Sequence, residues 1–426
     1  MAKFSALYAL KTFQFNRTSF NQASYGSMDI VDSWDAMYFG DFLYDDDNFD
    51  GASIYFEAVL RSDGSGTMYA ALFNKTPTEL SSSEISTTSA DNALVRSAAL
   101  TMTDTHEYHV RTKTSTTLSD AGLAAPRIIA DYDKSDASPI EVQVLLWGAD
   151  FNSWNSDGAT FQPITRSTEP RGSAFRYTKS NWSVLTEFYY EANMLQDGTG
   201  TAQSKLWNWT DGLDVSGSLV TTTSGTQTRV RSSQIQLIDG KDYVCRYGTS
   251  GGSEPNAVYG NLMKLVAVMP KPRKFELHHD WLTNAYDDAP ETAYAGYTAG
   301  RLRFNPAVWD EDNITALYYE TVMEAASTRT IYQQIAYWTS PSARTEITAT
   351  EISTTSTSPV RVRSVDIKSD LFGLASNLLL KSEWKVSGGS TGNNIISNGK
   401  LIFVYDTPPI LDATLGVGEV NLEWQY

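Results

Sequence analysis

The chain reads as an all-β protein made of three tandem antiparallel β-sandwich modules followed by a C-terminal extension. Three observations predict this. A Thr-Thr-Ser segment occurs three times, as Glu84-Ile85-Ser86-Thr87-Thr88-Ser89, Leu219-Val220-Thr221-Thr222-Thr223-Ser224 and Glu351-Ile352-Ser353-Thr354-Thr355-Ser356. Seven residues beyond each last serine stands an arginine, Arg96, Arg231 or Arg363, inside a Val-Arg-Ser run. An aromatic pair and a glutamate precede each copy, as Tyr55-Phe56-Glu57, Tyr189-Tyr190-Glu191 and Tyr318-Tyr319-Glu320. From Glu57 to Glu191 is 134 residues, and from Glu191 to Glu320 is 129.

A fixed offset held through three copies marks a repeated module. The modules take residues 1–136, 137–269 and 270–405, with a tail at 406–426. Each is large enough to bury its own core. In the first, an alternating strand near residues 4–15 leads to an aromatic-rich, turn-rich stretch. Ile54-Tyr55-Phe56-Glu57-Ala58-Val59-Leu60 then reads as a strand, Asp63-Gly64 as a hairpin turn and Met68-Tyr69-Ala70-Ala71-Leu72-Phe73-Asn74 as the return. Further runs at 93–100, 107–111 and 126–132 are short and bounded by turn residues, the spacing of a sandwich and not of βαβ units.

The second module repeats that order, with Asp197-Gly198 and Asp239-Gly240 at its turns and an apolar closing run at Leu265-Val266-Ala267-Val268. The third opens on Phe275-Glu276-Leu277 and closes on Leu401-Ile402-Phe403-Val404-Tyr405. Proline marks the joints, at Pro139 and at Pro270-Lys271-Pro272, which makes them stiffer than Gly/Ser linkers. Helical periodicity is weak throughout; the best short candidates are 369–377 and 412–415. In the tail, Val420-Asn421-Leu422-Glu423-Trp424-Gln425-Tyr426 alternates like a strand. It pairs either with its own module or, by strand addition, with a neighbouring subunit, where Trp424 and Tyr426 would be the partner contacts.

Composition bounds the function. With 41% hydrophobic and 19% charged residues the chain is globular in character, and a formal net charge of -17 disfavours nucleic acid and anionic membrane as partners. No apolar run is long enough for a membrane helix, and the opening Met1-Ala2-Lys3-Phe4-Ser5 lacks the apolar core of a secretory signal. The single cysteine, Cys245, excludes an internal disulfide; it aligns with Val110 of the first module and reads as a buried structural thiol.

Two constellations invite a site. Asp46, Asn48, Asp50 and Glu57 have the spacing of a calcium loop, although strands flank them and Ser53 stands where an apolar residue is usual. A solvated acidic turn is the other reading, and Asp310-Glu311-Asp312-Asn313 repeats such a turn in the third module. The recurring Glu57 and Arg96, Glu191 and Arg231, and Glu320 and Arg363 read as structural pairs across a sheet, since both members return in every copy. His106, His109, His278 and His279 lack persuasive metal spacing and read as surface or boundary residues. Aromatics at repeated positions, Tyr55, Tyr189 and Tyr318, then Phe73, Trp207 and Tyr337, read as core or sheet packing. No phosphate loop, nucleophile elbow or paired-cysteine motif is present, so no catalytic residue and no enzymatic activity are expected; calcium is the one cofactor considered.

The succession of Tyr-Tyr-Glu strand, Thr-Thr-Ser turn, Arg-Val-Arg-Ser strand and Asp239-Gly240-Lys241-Asp242-Tyr243 turn resembles jelly-roll and related β-sandwich modules repeated in tandem in bacteriophage virion proteins and microbial surface assemblies. That resemblance spans the three repeats and transfers no catalytic residue. It implies a non-enzymatic structural protein of a virus particle, a capsid decoration, head-fibre or tail-associated component. Its partners would be itself and other virion proteins, and it would be assembled in the host cytoplasm. A carbohydrate-binding surface adhesion protein, with host glycan as ligand, is the leading alternative, and a polysaccharide depolymerase the weaker one.

Overall fold

The computed structural model describes residues 2–10, 42–147, 162–250 and 257–406, apart from short breaks within those ranges. The first module shows the ground plan. Among the described residues its eight strands are Ala2–Ala9, Phe42–Leu43, Ala52–Arg61, Met68–Asn74, Ile85–Thr87, Ala93–Arg96, Glu107–Thr114 and Gly122–Lys134. Numbered in chain order, they form two antiparallel sheets that run 1-8-3-6 and 2-7-4-5. That is the strand order of an eight-stranded jelly roll, in which two Greek keys fold over one another.

The other two thirds follow the same plan. In every first sheet an opening strand (Ala2–Ala9, Ile140–Trp147, Lys274–Asp280) pairs with a closing strand (Gly122–Lys134, Ala257–Met269, Lys400–Asp406). The closing strand pairs with a glutamate strand (Ala52–Arg61, Glu187–Asp197, Ile314–Glu324), which pairs in turn with an arginine strand (Ala93–Arg96, Thr228–Arg231, Val360–Arg363). The facing sheets are built on Glu107–Thr114 with Met68–Asn74, Asp242–Ser250 with Thr201–Asn208, and Leu378–Val386 with Ile331–Ser340. The fold is therefore all-β, three jelly-roll sandwiches in tandem. Of the helical reading at 369–377, the described residues hold the short helix Lys368–Phe372, and the reading at 412–415 lies outside the described residues.

Strand alternation decides the faces. Ile54, Phe56, Ala58 and Leu60 of the first glutamate strand enter the sandwich core, so Tyr55, Glu57 and Val59 lie on the opposite face. The repeated motif serves to join the two sheets. Thr87, Thr222 and Thr354 each accept through Oγ1 the amide of the serine two residues on, at 3.1 Å in all three copies. The carbonyl of that serine then receives the amide of Ser62, Gln196 or Ala325, at or just past the end of the glutamate strand. The serine after each repeated arginine stops the ladder: Ser97, Ser232 and Ser364 accept through Oγ the amides of Phe56, Tyr190 and Tyr319 at 3.0, 2.9 and 2.9 Å.

Two expectations change here. Asp63-Gly64 is no hairpin turn, because the strands it joins lie in opposite sheets; Gly64, at φ 82°, carries the chain across the sandwich. Tyr337 is not the counterpart of Phe73 and Trp207. A side-chain hydroxyl binds the amides of Leu72, Leu206 and Ile335 alike, from Ser83, Ser218 and Thr350, which makes Ala336 the equivalent of Phe73 and Trp207 in the third module. Tyr337, one residue on, packs half-buried against the core.

The three sandwiches close on one another. Their opening strands are in mutual contact. Phe4 stacks on its cross-strand partner Tyr132 at 4.6 Å and meets Phe275 edge-on at 5.1 Å, while Phe275 stacks on Tyr405 at 4.9 Å. Around this hub the contacts run head to tail. The turn Asp46–Phe49 before the first glutamate strand packs on the second opening strand, Lys179–Asn181 packs on the third, and Pro306–Val308 packs on the first. Head-to-tail contacts that return to their start form a ring. One contiguous apolar cluster runs through it from Phe4 to Tyr405.

Candidate functional site

The outer faces of the three first sheets each carry a cluster of ion pairs centred on a buried glutamate. Glu57, Glu191 and Glu320 are 0, 0 and 1% exposed, a burial that requires compensation for ionised carboxylates. In the first module, Arg127 of the closing strand donates to Glu57 Oε1 through Nε at 2.8 Å and Nη2 at 2.6 Å, and Arg96 Nε donates to Oε2 at 2.9 Å. In the second, Lys264 Nζ stands 2.9 Å from Glu191 Oε1, while Arg231 Nε and Arg229 Nη1 each donate to Oε2 at 2.8 Å. In the third, Lys400 Nζ stands 3.3 Å from Glu320 Oε1, and Oε2 receives Arg363 Nε at 2.7 Å and Arg361 Nη1.

Register explains the recurrence. Glu57 is opposite Arg127 and Arg96, Glu191 opposite Lys264 and Arg231, and Glu320 opposite Lys400 and Arg363, so one carboxylate sits between two cations on adjacent strands. Directly after the glutamate the first two modules carry a β-bulge, between Glu57 and Val59 and between Glu191 and Asn193. Bulges re-aim side chains. The closing-strand cation was not singled out in the sequence, where its signal is one basic residue inside an apolar run, as in Pro126-Arg127-Ile128, Met263-Lys264-Leu265 and Gly399-Lys400-Leu401.

Of the two roles expected for the repeated tyrosines, core or sheet packing, the structure gives the second. Tyr55, Tyr189 and Tyr318 lie half-buried on this outer face under the guanidinium groups of Arg96, Arg231 and Arg363, at 5.4, 5.7 and 4.9 Å from Cζ to ring centroid. Their neighbours Phe56, Tyr190 and Tyr319 occupy the core. A second acid also recurs. Glu141 and Glu276 stand at the same place on the second and third opening strands, opposite Val268 and Val404; in the first module the acid is Asp131, across the ladder from Ser5. Glu141 lies 3.2 Å from Arg231, and Asp131 lies 3.7 Å from Arg96.

Electrostatics fixes what these clusters do. Burial raises the proton affinity of the Glu191 carboxyl, yet Lys264, Arg229 and Arg231 outweigh it and hold the group down at about 2. The same balance lowers Glu57, through Arg127 and Arg96, and Glu320, through Lys400, Arg363 and Arg361. Carboxylates held this firmly ionised neither donate nor accept a proton near neutrality, so they are poor general acids or bases.

The remaining expected sites fall as follows. Asp46 and Asn48 belong to the helical turn Asp46–Phe49, where Asp45 accepts from the amide of Asp47 at 3.0 Å and from Asn48 Nδ2 at 3.2 Å. Asp310 and Asn313 make the corresponding side-chain bond at 2.5 Å in the third module. Glu57 faces Arg96 and Arg127 and does not close a cage around Asp46, Asn48 and Asp50. Among the described residues no group of three or more His, Cys, Asp or Glu could hold a metal ion. Trp424 and Tyr426 lie outside the described residues. The histidines are less exposed than expected: His109, His278 and His279 are buried. Burial, and then Arg111, lower His109 to about 4. Cys245 is buried opposite Leu206, and burial pushes its thiol far up.

Comparison with protein-family models returns no match, and comparison with curated proteins returns none either. Among solved structures, a structure of the infectious bursal disease virus Gx strain aligns at 10% identity over 89% of this chain and 75% of that one, with a TM-score of 0.21. The triple jelly roll of an archaeal virus aligns at 9% identity over 94% and 90%, with a TM-score of 0.17. The tandem CBM22-1-CBM22-2 domain of Xyn10C from Paenibacillus barcinonensis aligns at 7% identity over 63% and 99%, with a TM-score of 0.18. These superpositions are loose, and the functional reading rests on the chain's own geometry.

Proposed function

We propose that this chain is a non-enzymatic structural subunit of a virus particle, displayed on or attached to the capsid or tail of a bacteriophage. The observation that carries the reading is the triplicated jelly roll closed into a ring, with its recurring charged residues committed to internal ion pairs. Jelly rolls of two four-stranded sheets are used in viral capsid and lectin domains. Here the motif residues common to all three copies build scaffold: they stop ladders, join sheets and neutralise buried carboxylates. Particularity then resides in the unshared parts, which suits a subunit whose work is contact with neighbours.

On this reading the protein is assembled in the host cytoplasm and acts through contacts with itself and with other virion proteins. The module bounds are 1–136, 137–269 and 270–405. Because the opening strands already close a ring within one chain, a second copy is joined through other surfaces. Residues 406–426 are the segment proposed to make that contact.

The test is the state of the full-length protein and of a form ending at Asp406, compared by sedimentation and electron microscopy. Ordered oligomers that dissociate on truncation support the proposal. A monomer at all concentrations, together with glycan-array binding or turnover of a capsular polysaccharide, would turn the reading to an adhesion protein or a depolymerase.

A further inference from the structure

The seam between the second and third modules holds a buried imidazole where its counterparts have none. His278 lies on the third opening strand two residues after Glu276, where the second module has Gln143 after Glu141 and the first has Leu7 after Ser5. Gln143 Nε2 donates to Glu141 Oε1 at 3.1 Å; His278 Nε2 stands 3.0 Å from Glu276 Oε2. The imidazole thus makes the same contact as the amide, but it can take up a proton.

Its surroundings come from both modules. From the second, Asn181 Nδ2 donates to Glu276 Oε1 at 2.6 Å, and Phe175 meets the imidazole edge-on at 5.6 Å. The amide of Ser183 donates to Lys274 O at 2.8 Å, and that of Lys274 to Ser183 Oγ at 3.1 Å. From the third, Lys400 Nζ crosses the seam to Ala174 O at 2.5 Å and also faces Glu320. The charged groups around His278 are therefore Glu276 on its own strand, Lys400 on the closing strand and Glu320 on the glutamate strand, with Arg363 acting on Glu276.

We propose that this seam is a pH-sensitive joint, in which protonation of His278 loosens the hold of the second module on the third. The carboxylate neighbour assigns the neutral proton to Nε2. A second proton must then go to Nδ1, which is buried and has no hydrogen-bond partner. An unpaired buried donor is costly. The added positive charge arrives where Arg363 and Lys400 already serve the two carboxylates. Burial first, and then Lys400, accordingly lower the proton affinity of His278 against the opposing pull of Glu276 and Glu320. An opened seam returns the imidazole to its ordinary value of 6.5, so acidification below that value favours opening.

Hydrogen–deuterium exchange of the full chain at about pH 7.5 and about pH 5.5, corrected for intrinsic chemistry, tests this. The amides of Ser183 and Lys274 report directly, since their bonds cross the seam. Their opening should rise by up to roughly tenfold at the lower pH, the bound for one group held unprotonated one unit below its free value. His278→Gln, the side chain that the second module already uses, should flatten that response. No rise in the wild type, or an undiminished rise in His278→Gln, overturns the proposal. Should the variant fail to fold, the imidazole titration of the wild type by NMR decides: a value below 6.5 supports the joint, and one at or above it refutes it.

Discussion

Glu191 is held between three cations, and replacing it with glutamine leaves Lys264 buried without its counter-charge. Removing one member of a buried pair typically costs about 3–5 kcal/mol, so Glu191→Gln should lower the urea midpoint clearly, whereas removal of half-exposed Lys113 or Glu84 should not. Stability also follows pH with a definite sign. Glu191 sits near 2 in the fold against 4.5 when free, so its contribution, roughly 3 kcal/mol at most, is complete above 4.5 and lost as pH falls toward 2. His109, lowered from 6.5 to about 4, stays neutral in the fold and adds an earlier loss between those values. Urea midpoints measured across pH should fall in two stages, and Glu191→Gln should reduce only the lower one. The repeats also contain a natural control on a buried hydroxyl. Tyr190 and Ser204 share a hydrogen bond at 2.5 Å, and the same two positions in the first module are Phe56 and Ala70. Ser204→Ala alone should cost about 1–3 kcal/mol by leaving a buried hydroxyl without that partner. Ser204→Ala combined with Tyr190→Phe should cost less than the two changes summed, which thermal unfolding of the four variants would check.

The glutamate strands need close packing as well as charge. Gly399 lies against the Tyr319 ring so tightly that a Cβ there would stand 2.5 Å from the hydroxyl and 2.8 Å from Cε2. Gly399→Ala should therefore displace Tyr319 from Ser382, to which it is bonded at 2.6 Å, and lower the melting temperature more than an alanine at exposed Gly225, where a Cβ meets nothing closer than 3.9 Å. How much of these strands was legible depended on offsets. Glutamate and arginine could be read as a pair because the distance to the Thr-Thr-Ser turn is constant. The closing-strand cation was obscured because its distance from the repeated arginine varies: 31 residues to Arg127, 33 to Lys264 and 37 to Lys400. Alternation predicts that Tyr55 and Phe56 face opposite ways but not which way is in, since Tyr55 is covered by Arg96 and Glu57 is fully buried on the nominally outer face. Turn signals misled for a related reason. Asp63-Gly64 announces a reversal, and nothing local states that the next strand joins the other sheet. The acidic turns at Asp45 and Asp310 share a composition with cation loops because an aspartate that caps a turn and one that binds a metal both present oxygen at short spacing.

Ring closure was invisible in the sequence, which shows repeats but not how their faces meet. It determines how the chain should unfold. The repeat alone suggests three sandwiches melting separately, each with its own core and a proline-marked joint between. The structure opposes that. The apolar cluster is continuous from Phe4 to Tyr405, and Tyr8 Oη donates to Glu141 O at 2.6 Å across the first seam. Asn181 and Lys400 bond across the second seam, and Arg361 Nε reaches Asp242 Oδ1 at 2.9 Å between the same modules. Losing one module would expose the hub around Phe4 and Phe275 and break the bonds that cross its seams, so partial unfolding forfeits apolar area that the remaining modules hold buried. The expected outcome near neutral pH is one calorimetric transition whose van't Hoff and calorimetric enthalpies agree, coincident with loss of the near-ultraviolet signal of the buried aromatics. Near pH 5.5 a protonated His278 weakens one of the three seams. There the transition should broaden or divide, and in His278→Gln it should stay single. Three resolved transitions at neutral pH would show that the modules touch without depending on one another, and the ring would then be a packing arrangement instead of the unit that folds.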